Sequence, residues 1–456
     1  MNHPTTPADP PAGSFAGEPP NAHSVAPVCP AIAITQAALR VRSAERCSSR
    51  RVAAALGHTV ALWRDGEFAP RRQTVAGLAS ALGMAPALLD ESLDALLEPV
   101  TAVALESLAS KSPVANCLFG FLMPGNVPGA GIHEVCAVLL AGASLLIKSS
   151  SSEPLFFANF VRTLAEVDAA VAARVAIVNF GRGDLAAMRK LWARCEGGVV
   201  AYGDDASLAA LAAAAAEADE RARVARPLVG FGSRLSGALV VPGASPSAVA
   251  SAADGLARDV TLFEQRGCLS PHHVFVVGDA GEARGFAAGL ARALERLERR
   301  LPAPARLPLG AAGAIRALRE HARWRAFAQR TAHADDSGAD DLHAGDLDIT
   351  LWEGERMAWT VIFDRAASFC ASPGYRTVFV SALESADELG GRLGAAAGRL
   401  EAFALAAAPD VWARLEAGLR HFGVTYVCEP GRMQSPPLDW PHGNGAMREL
   451  LRGPAR

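Results

Sequence analysis

Between residues 115 and 202 four short apolar runs alternate with turns and helical stretches: 115–122, 143–148, 175–180 and 198–202. Each ends in glycine, proline or serine, and a segment with apolar residues at helical spacing follows. Strands joined by helices run in the same direction, because the crossover returns the chain to the edge where it began. Near-continuous apolar runs suit strands covered on both faces. The repeat therefore predicts a parallel α/β sheet, with ligands bound beyond the carboxyl ends of its strands. A second set follows at 274–277, 361–364 and 376–380, so two parallel-sheet α/β domains are expected.

A chain of 456 residues exceeds what one small core serves. Half of it is hydrophobic and 20% is charged, which suits a soluble globular protein. A net charge of −3 gives no electrostatic case for nucleic acid or an anionic membrane. No window reaches the apolar length of a membrane span, and the N-terminus lacks the basic and apolar regions of a secretory signal. The eight cysteines are scattered with no C-x-x-C pair, which argues against zinc and a disulfide framework and for a reducing, cytoplasmic compartment.

Residues 1–30 are proline-rich and read as a disordered tail. Residues 31–110 are helical in pattern and carry no residue that suggests chemistry; a substrate-facing cap or an oligomer contact is expected there. Helices are also expected at 133–141, 247–256 and 283–301, and a loop over 332–348. The final stretch from Gly431 is proline-punctuated and extended.

Six places are candidates for chemistry. Cys268 sits on a tight loop, with Gly267 before it, Pro271 after it and a strand beyond. That placement suits a nucleophile and equally suits a small apolar residue. Asn126 lies in the Pro/Gly loop 123–129; asparagine is common in turns, and its amide is also a potential oxyanion donor. Lys148, one of only three lysines, ends a strand and faces Ser149 and the serines after it; it is either a solvated strand end or a contact for a ribose or phosphate. Residues 181–186 fit G-x-G-x-x-A, but no acidic residue follows at the dinucleotide distance, so an ordinary turn is expected. The His and Asp residues of 332–348 fit no standard metal-ligand spacing. His272 and His273 adjoin Cys268, yet neighbours on a strand point to opposite faces, so at most one can approach the thiol.

Four segments together resemble a known family: Gly125-Asn126-Val127-Pro128-Gly129, the run Leu146 to Pro154, Gln265-Arg266-Gly267-Cys268-Leu269-Ser270-Pro271, and Gly431-Arg432-Met433-Gln434 through Trp440-Pro441-His442. In this order they are similar to the acyl-CoA reductases of the LuxC type, within the aldehyde dehydrogenase superfamily. The resemblance covers the chain from about residue 110 onward. It implies an aldehyde-dehydrogenase-like fold. Beside the proline-rich tail at 1–30, the expected division is a helical segment plus cofactor-binding domain at 31–245, a catalytic domain at 246–430, and a segment at 431–456 that packs back or lies at an oligomer contact. It also implies that Cys268 is the nucleophile, with Asn126 and the Cys268 amide as oxyanion donors. Lys148 and Ser149 would meet the adenosine ribose or its phosphate, and Gly203 would begin the helix facing the pyrophosphate. NADPH is the implied cofactor, NADH the alternative. An acyl-CoA or acylated carrier protein, an acyl-transfer partner enzyme and a homo-oligomer are the implied partners.

Two departures matter. Asp204 and Asp205 follow Gly203, where two carboxylates are unfavourable beside a pyrophosphate. Hydrolytic aldehyde dehydrogenases carry a glutamate base, and the corresponding stretch 230–237 has no carboxylate. Hydrolysis of a thioacyl-enzyme needs a base for water, whereas a thiolate attacks and departs unaided. The expected reaction is therefore reduction of an acyl thioester to aldehyde through a thioacyl-enzyme. An aldehyde dehydrogenase running toward acid or acyl-CoA, and a non-catalytic acyl-binding subunit, are the alternatives.

Overall fold

The structure is a computed structural model that describes residues 29–111, 116–181, 183–222, 226–242, 246–337, 348–445 and 451. The expected tail over 1–28 and residues 338–347 of the acidic stretch lie outside them.

Five helices come first: Pro30–Arg42, Ser49–Arg64, Ala69–Leu82, Pro86–Leu97 and Ala102–Lys111. Their boundaries follow local chemistry. The Ser48 side chain accepts from the Arg51 amide at the start of the second. Proline occupies the first turn of the first, third and fourth, where no amide partner is lost. Gly83, at φ +67°, ends the third.

The first sheet contains β1 (Leu118–Leu122), β2 (Ser144–Lys148), β3 (Val175–Val178), β4 (Gly198–Tyr202) and β5 (Leu228–Phe231). They run in the order β3-β2-β1-β4-β5, every pair parallel. The chain builds outward from β1 to β3 and then returns to place β4 on the other side of β1. That reversal opens a crevice beyond the carboxyl ends of β1 and β4. Under this sheet the rings of Trp63, Phe156 and Phe160 pack together, with Trp63 and Phe156 centroids 5.1 Å apart and the Trp63 Nε1–H donating to Thr163 at 3.1 Å.

The second sheet contains β6 (Leu235–Val240), β7 (Pro271–Val277), β8 (Ile349–Glu353), β9 (Thr360–Asp364), β10 (Thr377–Leu383), β11 (Leu400–Ala406) and β12 (Tyr426–Cys428). The order is β12-β11-β6-β7-β10-β9-β8, with only the edge strand β8 antiparallel among the described pairs. The chain crosses between sheets at residues 232–234, so β6, which precedes residue 245, belongs to the second sheet. The helix Ala280–Glu298 covers β7, β9 and β10, and starts at a capping box in which Asp279 and Glu282 satisfy each other's amides.

Two expectations change. The helix Leu309–Ser337 runs into the stretch read as a loop from 332. The N-terminal helices also have a more definite role than a cap: Pro86–Leu97 packs Leu88 and Ala95 against Phe263, just ahead of Cys268.

Candidate active site

Cys268 follows a tight left-handed turn. The helix Pro246–Thr261 ends, and Phe263, Glu264 and Gln265 then take φ of +53°, +54° and +55°. Non-glycine residues in this region carry of order 1–3 kcal/mol of strain each, so surrounding contacts must hold them there. Here all three side chains are anchored. Phe263 is buried among Leu88, Ala95, Leu262 and Leu301, and its amide donates to Ser92 Oγ at 3.1 Å. The Glu264 carboxylate receives two hydrogen bonds from Arg376, at 2.7 and 3.0 Å, and both side chains are almost wholly buried. The Gln265 amide donates to the Pro271 and Thr377 carbonyls at 2.7 and 2.8 Å and accepts from the Thr377 amide at 2.8 Å. Beyond the turn, the Cys268 carbonyl accepts from Ser236 Oγ at 2.6 Å, which fixes the loop to β6. Cys268 itself is half-buried with a free thiol.

Asn126 reaches this loop from the other sheet. Its Nδ2 donates to the Arg266 carbonyl at 2.6 Å, two residues before the thiol. Val127 packs beside it on the cluster that holds Phe263. The serines after β2 fold toward the same place, and Ser152 Oγ donates to the Gly125 carbonyl at 3.4 Å.

The third approach comes from the C-terminal segment. After β12 the chain is tied to the helix Pro246–Thr261: the Asp259 carboxylate accepts from the Gly431 and Met433 amides at 2.6 and 3.0 Å. Gly255 and Gly431 face each other so closely that a Cβ on Gly255 would stand 2.6 Å from the Pro430 backbone. Gln434 then donates to Ser270 Oγ at 3.2 Å, against the Cys268 loop. The segment ends with His442 lodged between two rings, Phe231 at 3.9 Å and Trp440 at 4.3 Å. His442 Nδ1 lies 2.7 Å from Glu134 Oε1, and the Cys268 side chain lies within electrostatic reach of the imidazole.

The electrostatics of this trio are mutual. Burial pushes the His442 pKa down, but the Glu134 carboxylate and the Cys268 side chain outweigh it, and the net shift is upward. Burial pushes Glu134 up, and His442 outweighs that, so the carboxylate titrates below its usual range. The pair is held as imidazolium and carboxylate.

Glu134 and His442 were not singled out by sequence reasoning as partners of the thiol. The signal available was slight: one acid, next to His133, in a largely apolar helix, Ile132–Leu140, and a histidine ending a proline-rich run. They also qualify the argument from the carboxylate-free stretch 230–237, because a carboxylate reaches the thiol region from elsewhere, through His442. The adjacent histidines point away. Burial lowers His272 to about 4 and His273 to about 3. They are engaged with Ser372 and with Ser381 and the Cys370 amide.

At the ends of the first sheet, Lys148 Nζ lies 5.7 Å from the Phe180 ring centroid. The Ser149 hydroxyl is buried with no hydrogen-bond partner among the described residues. An ammonium and an unsatisfied hydroxyl, carried on successive residues at this strand end, are donor types that fit a ribose or phosphate. Gly203 follows β4, and its amide donates to the Phe231 carbonyl at 3.2 Å. The helix beyond it, Asp205–Ala222, opens with its own carboxylates: Asp204 accepts from the Ser207 amide at 2.7 Å and Asp205 from the Ser233 amide at 2.9 Å. That helix end is already supplied with negative charge, which leaves the Lys148 side as the better anchor for a phosphate. Among the described residues no cluster of three metal-ligating side chains is present, and no helix is long and apolar enough to cross a membrane.

Comparison with known proteins bears on the family and the fold. The chain is similar to a long-chain acyl-protein thioester reductase 2 of Photobacterium leiognathi, at 27% identity over 35% of this chain and 32% of that protein. It is also similar to a long-chain acyl-protein thioester reductase of Aliivibrio fischeri, at 22% identity over 59% of this chain and 49% of that one. The matches thus span about a third to a half of these relatives' lengths. Among solved structures, a succinic semialdehyde dehydrogenase of Streptococcus pyogenes in complex with NADP+ has a TM-score of 0.62 at 14% identity, covering 88% of this chain and 86% of that one. An indole-3-acetaldehyde dehydrogenase in complex with NAD+ has the same TM-score, over 88% and 81%. The fold is therefore aldehyde-dehydrogenase-like. The model of one family, acyl-CoA reductase (LuxC), matches residues 105–452, and with the cysteine loop, the asparagine loop and the C-terminal segment all inside that span, the chain belongs to this family.

Proposed function

We propose that the protein reduces an acyl thioester to an aldehyde through a thioacyl intermediate on Cys268. The observation that carries this reading is the 2.6 Å bond from the Asn126 amide to the Arg266 carbonyl, which sets an oxyanion donor against the loop of a free thiol. Cys268 attacks the acyl carbonyl, and Asn126 with the Cys268 amide stabilises the negative oxygen. The donor thiolate leaves, and the acyl group remains on Cys268. Lys148 and Ser149 hold a nicotinamide cofactor, which supplies hydride when bound. NADPH is favoured over NADH by analogy with the family. Solved neighbours bound to NADP+ and NAD+ support the cofactor class. The named relatives act on acylated proteins, which supports an acylated carrier or acyl-transfer enzyme as donor alongside acyl-CoA. Eight free cysteines support a reducing compartment.

The test is intact-mass analysis after exposure to a panel of acyl-CoAs without cofactor. An acyl adduct on Cys268, absent from Cys268→Ala, is expected, together with aldehyde formation once NADPH is added. Full NADPH oxidation by Cys268→Ala would sink the mechanism. Aldehyde dehydrogenation to acid is the second reading, favoured by the Glu134–His442 pair beside the thiol. Against it, an imidazolium has no lone pair with which to take a proton from water. Acid formed from aldehyde and NADP+ without CoA would revive it.

A further inference from the structure

We infer that His442 is a catalytic residue, a proton carrier for the acyl-transfer step at Cys268, and that Glu134 is the positioning residue that keeps it charged. This rests on the thioester reading above and adds the source of the leaving-group proton.

The geometry carries the inference. His442 is pinned on both ring faces by Phe231 and Trp440, and its Nδ1 is committed to Glu134 at 2.7 Å. Only Nε2 remains to face the Cys268 side chain, whose electrostatic influence the imidazole feels, and Gln434 of the same segment is bonded to Ser270 of the Cys268 loop at 3.2 Å. Three parts of the fold converge here: Glu134 from the helix Ile132–Leu140 of the first domain, Cys268 from the loop before β7, and His442 from the C-terminal segment. The titratable groups near the ring are Glu134 and His133 on that helix, Tyr202 at the end of β4, and Cys268. Of these, Glu134 is the anion. His133 is kept neutral by burial, so no second cation competes. A structural histidine would need only one of these contacts. The carboxylate–imidazole–thiol order instead matches the logic by which a base is oriented by a third group.

The step balances as follows. The Cys268 thiolate forms a bond to the carbonyl carbon, and the carbon–sulfur bond to the donor breaks with its electron pair on the donor sulfur. That sulfur takes the Nε2 proton of His442 and departs as a thiol. Neutral His442 remains, its Nδ1–H on Glu134. When the aldehyde is later released, Cys268 is again a thiolate and His442 recovers one proton from solvent.

Two variants test this without relying on the overall reaction. Iodoacetamide alkylation of Cys268, followed by mass, reports the sulfur alone. In His442→Gln the rate at pH 7 is expected to fall by tenfold or more, with the pH profile moved to higher pH. In Glu134→Gln the carboxylate that raises His442 is gone and burial remains, so the imidazolium loses its proton at lower pH and a new limb enters the profile near neutrality. Acylation by acyl-CoA is measured alongside, and thermal melting reports folding. A folded His442→Gln protein whose alkylation rate and profile match the unaltered chain overturns the inference; if that variant does not fold, an unchanged profile in Glu134→Gln does so. Alkylation that depends on His442, with no acylation of Cys268 by any thioester, overturns the thioester reading and the leaving-group role while retaining the thiol–imidazole pair.

Discussion

At the scale of single residues, the turn before Cys268 depends on buried side chains held by partners. Glu264 is wholly buried and holds the left-handed turn through Arg376. Burial pushes its carboxyl up and Arg376 pulls it back. Glu264→Ala leaves the guanidinium buried with Glu298 still 2.7 Å away. Unfolding in denaturant should therefore reveal a loss near the lower end for a broken buried pair, about 3 kcal/mol. Glu153 makes a pH prediction. It accepts the Leu155 and Phe156 amides, yet burial raises its pKa from the usual 4.5 to about 7. Between those values the folded chain binds more protons than the unfolded one, so its contribution is fully present below 4.5 and is lost as pH rises through 7. Glu153→Gln keeps an acceptor oxygen and removes the ionisation. Its stability relative to the unaltered chain should climb by up to about 3 kcal/mol between pH 4.5 and pH 8, and a flat difference would refute the account. The loops that carry Cys268 and Asn126 were legible because glycine and proline mark them locally, while the roles of the two residues came only from the resemblance. Glu134 and His442 were not, because they lie 308 positions apart and neither carries a local mark.

At the scale of elements, the segment from Gly431 to His442 is the one whose pattern revealed least. Proline-rich and extended, it makes no ladder, and its position is set by side chains reaching from elsewhere. Asp259 is the chief of these, and Arg258 adds a bond to the Gly431 carbonyl at 2.8 Å. Asp259→Ala deprives the Gly431 and Met433 amides of their acceptor, at about 1–3 kcal/mol for each buried group left unpaired. The variant should melt lower, exchange amide hydrogens faster over 431–442, and alkylate Cys268 more slowly, as is expected of His442→Gln. Strands with continuous apolar runs, β1 to β4 and β7, were read correctly in type. β6 was missed because the glycines around it resemble a loop; Gly237 lies mid-strand where a Cβ would stand 2.7 Å from the Phe403 ring, a reason that exists only once the sheet is assembled.

At the scale of the whole molecule, the Cys268 loop is braced by a helix of the segment that sequence reasoning expected to be a cap or an oligomer contact. Pro86–Leu97 contributes Leu88 and Ala95 to the Phe263 cluster, and Glu91 meets Arg258 at 3.1 Å and Arg300 at 2.7 Å. Glu98 at its end receives Arg432 from the C-terminal segment at 2.8 Å. Leu88→Ala should cost about 2–5 kcal/mol, and the same variant should slow Cys268 alkylation although no atom of Leu88 belongs to the site. A helix pattern predicts that an apolar face exists; which surface receives it depends on the assembled domains.

The convergence on His442 has a consequence in time. A ribosome adding about 5–20 residues per second releases Cys268 long before His442, so for on the order of ten seconds the nascent chain carries its sulfur without its proton carrier. Reactivity of the proposed kind therefore waits on the late segment, which docks through Asp259 and Gln434.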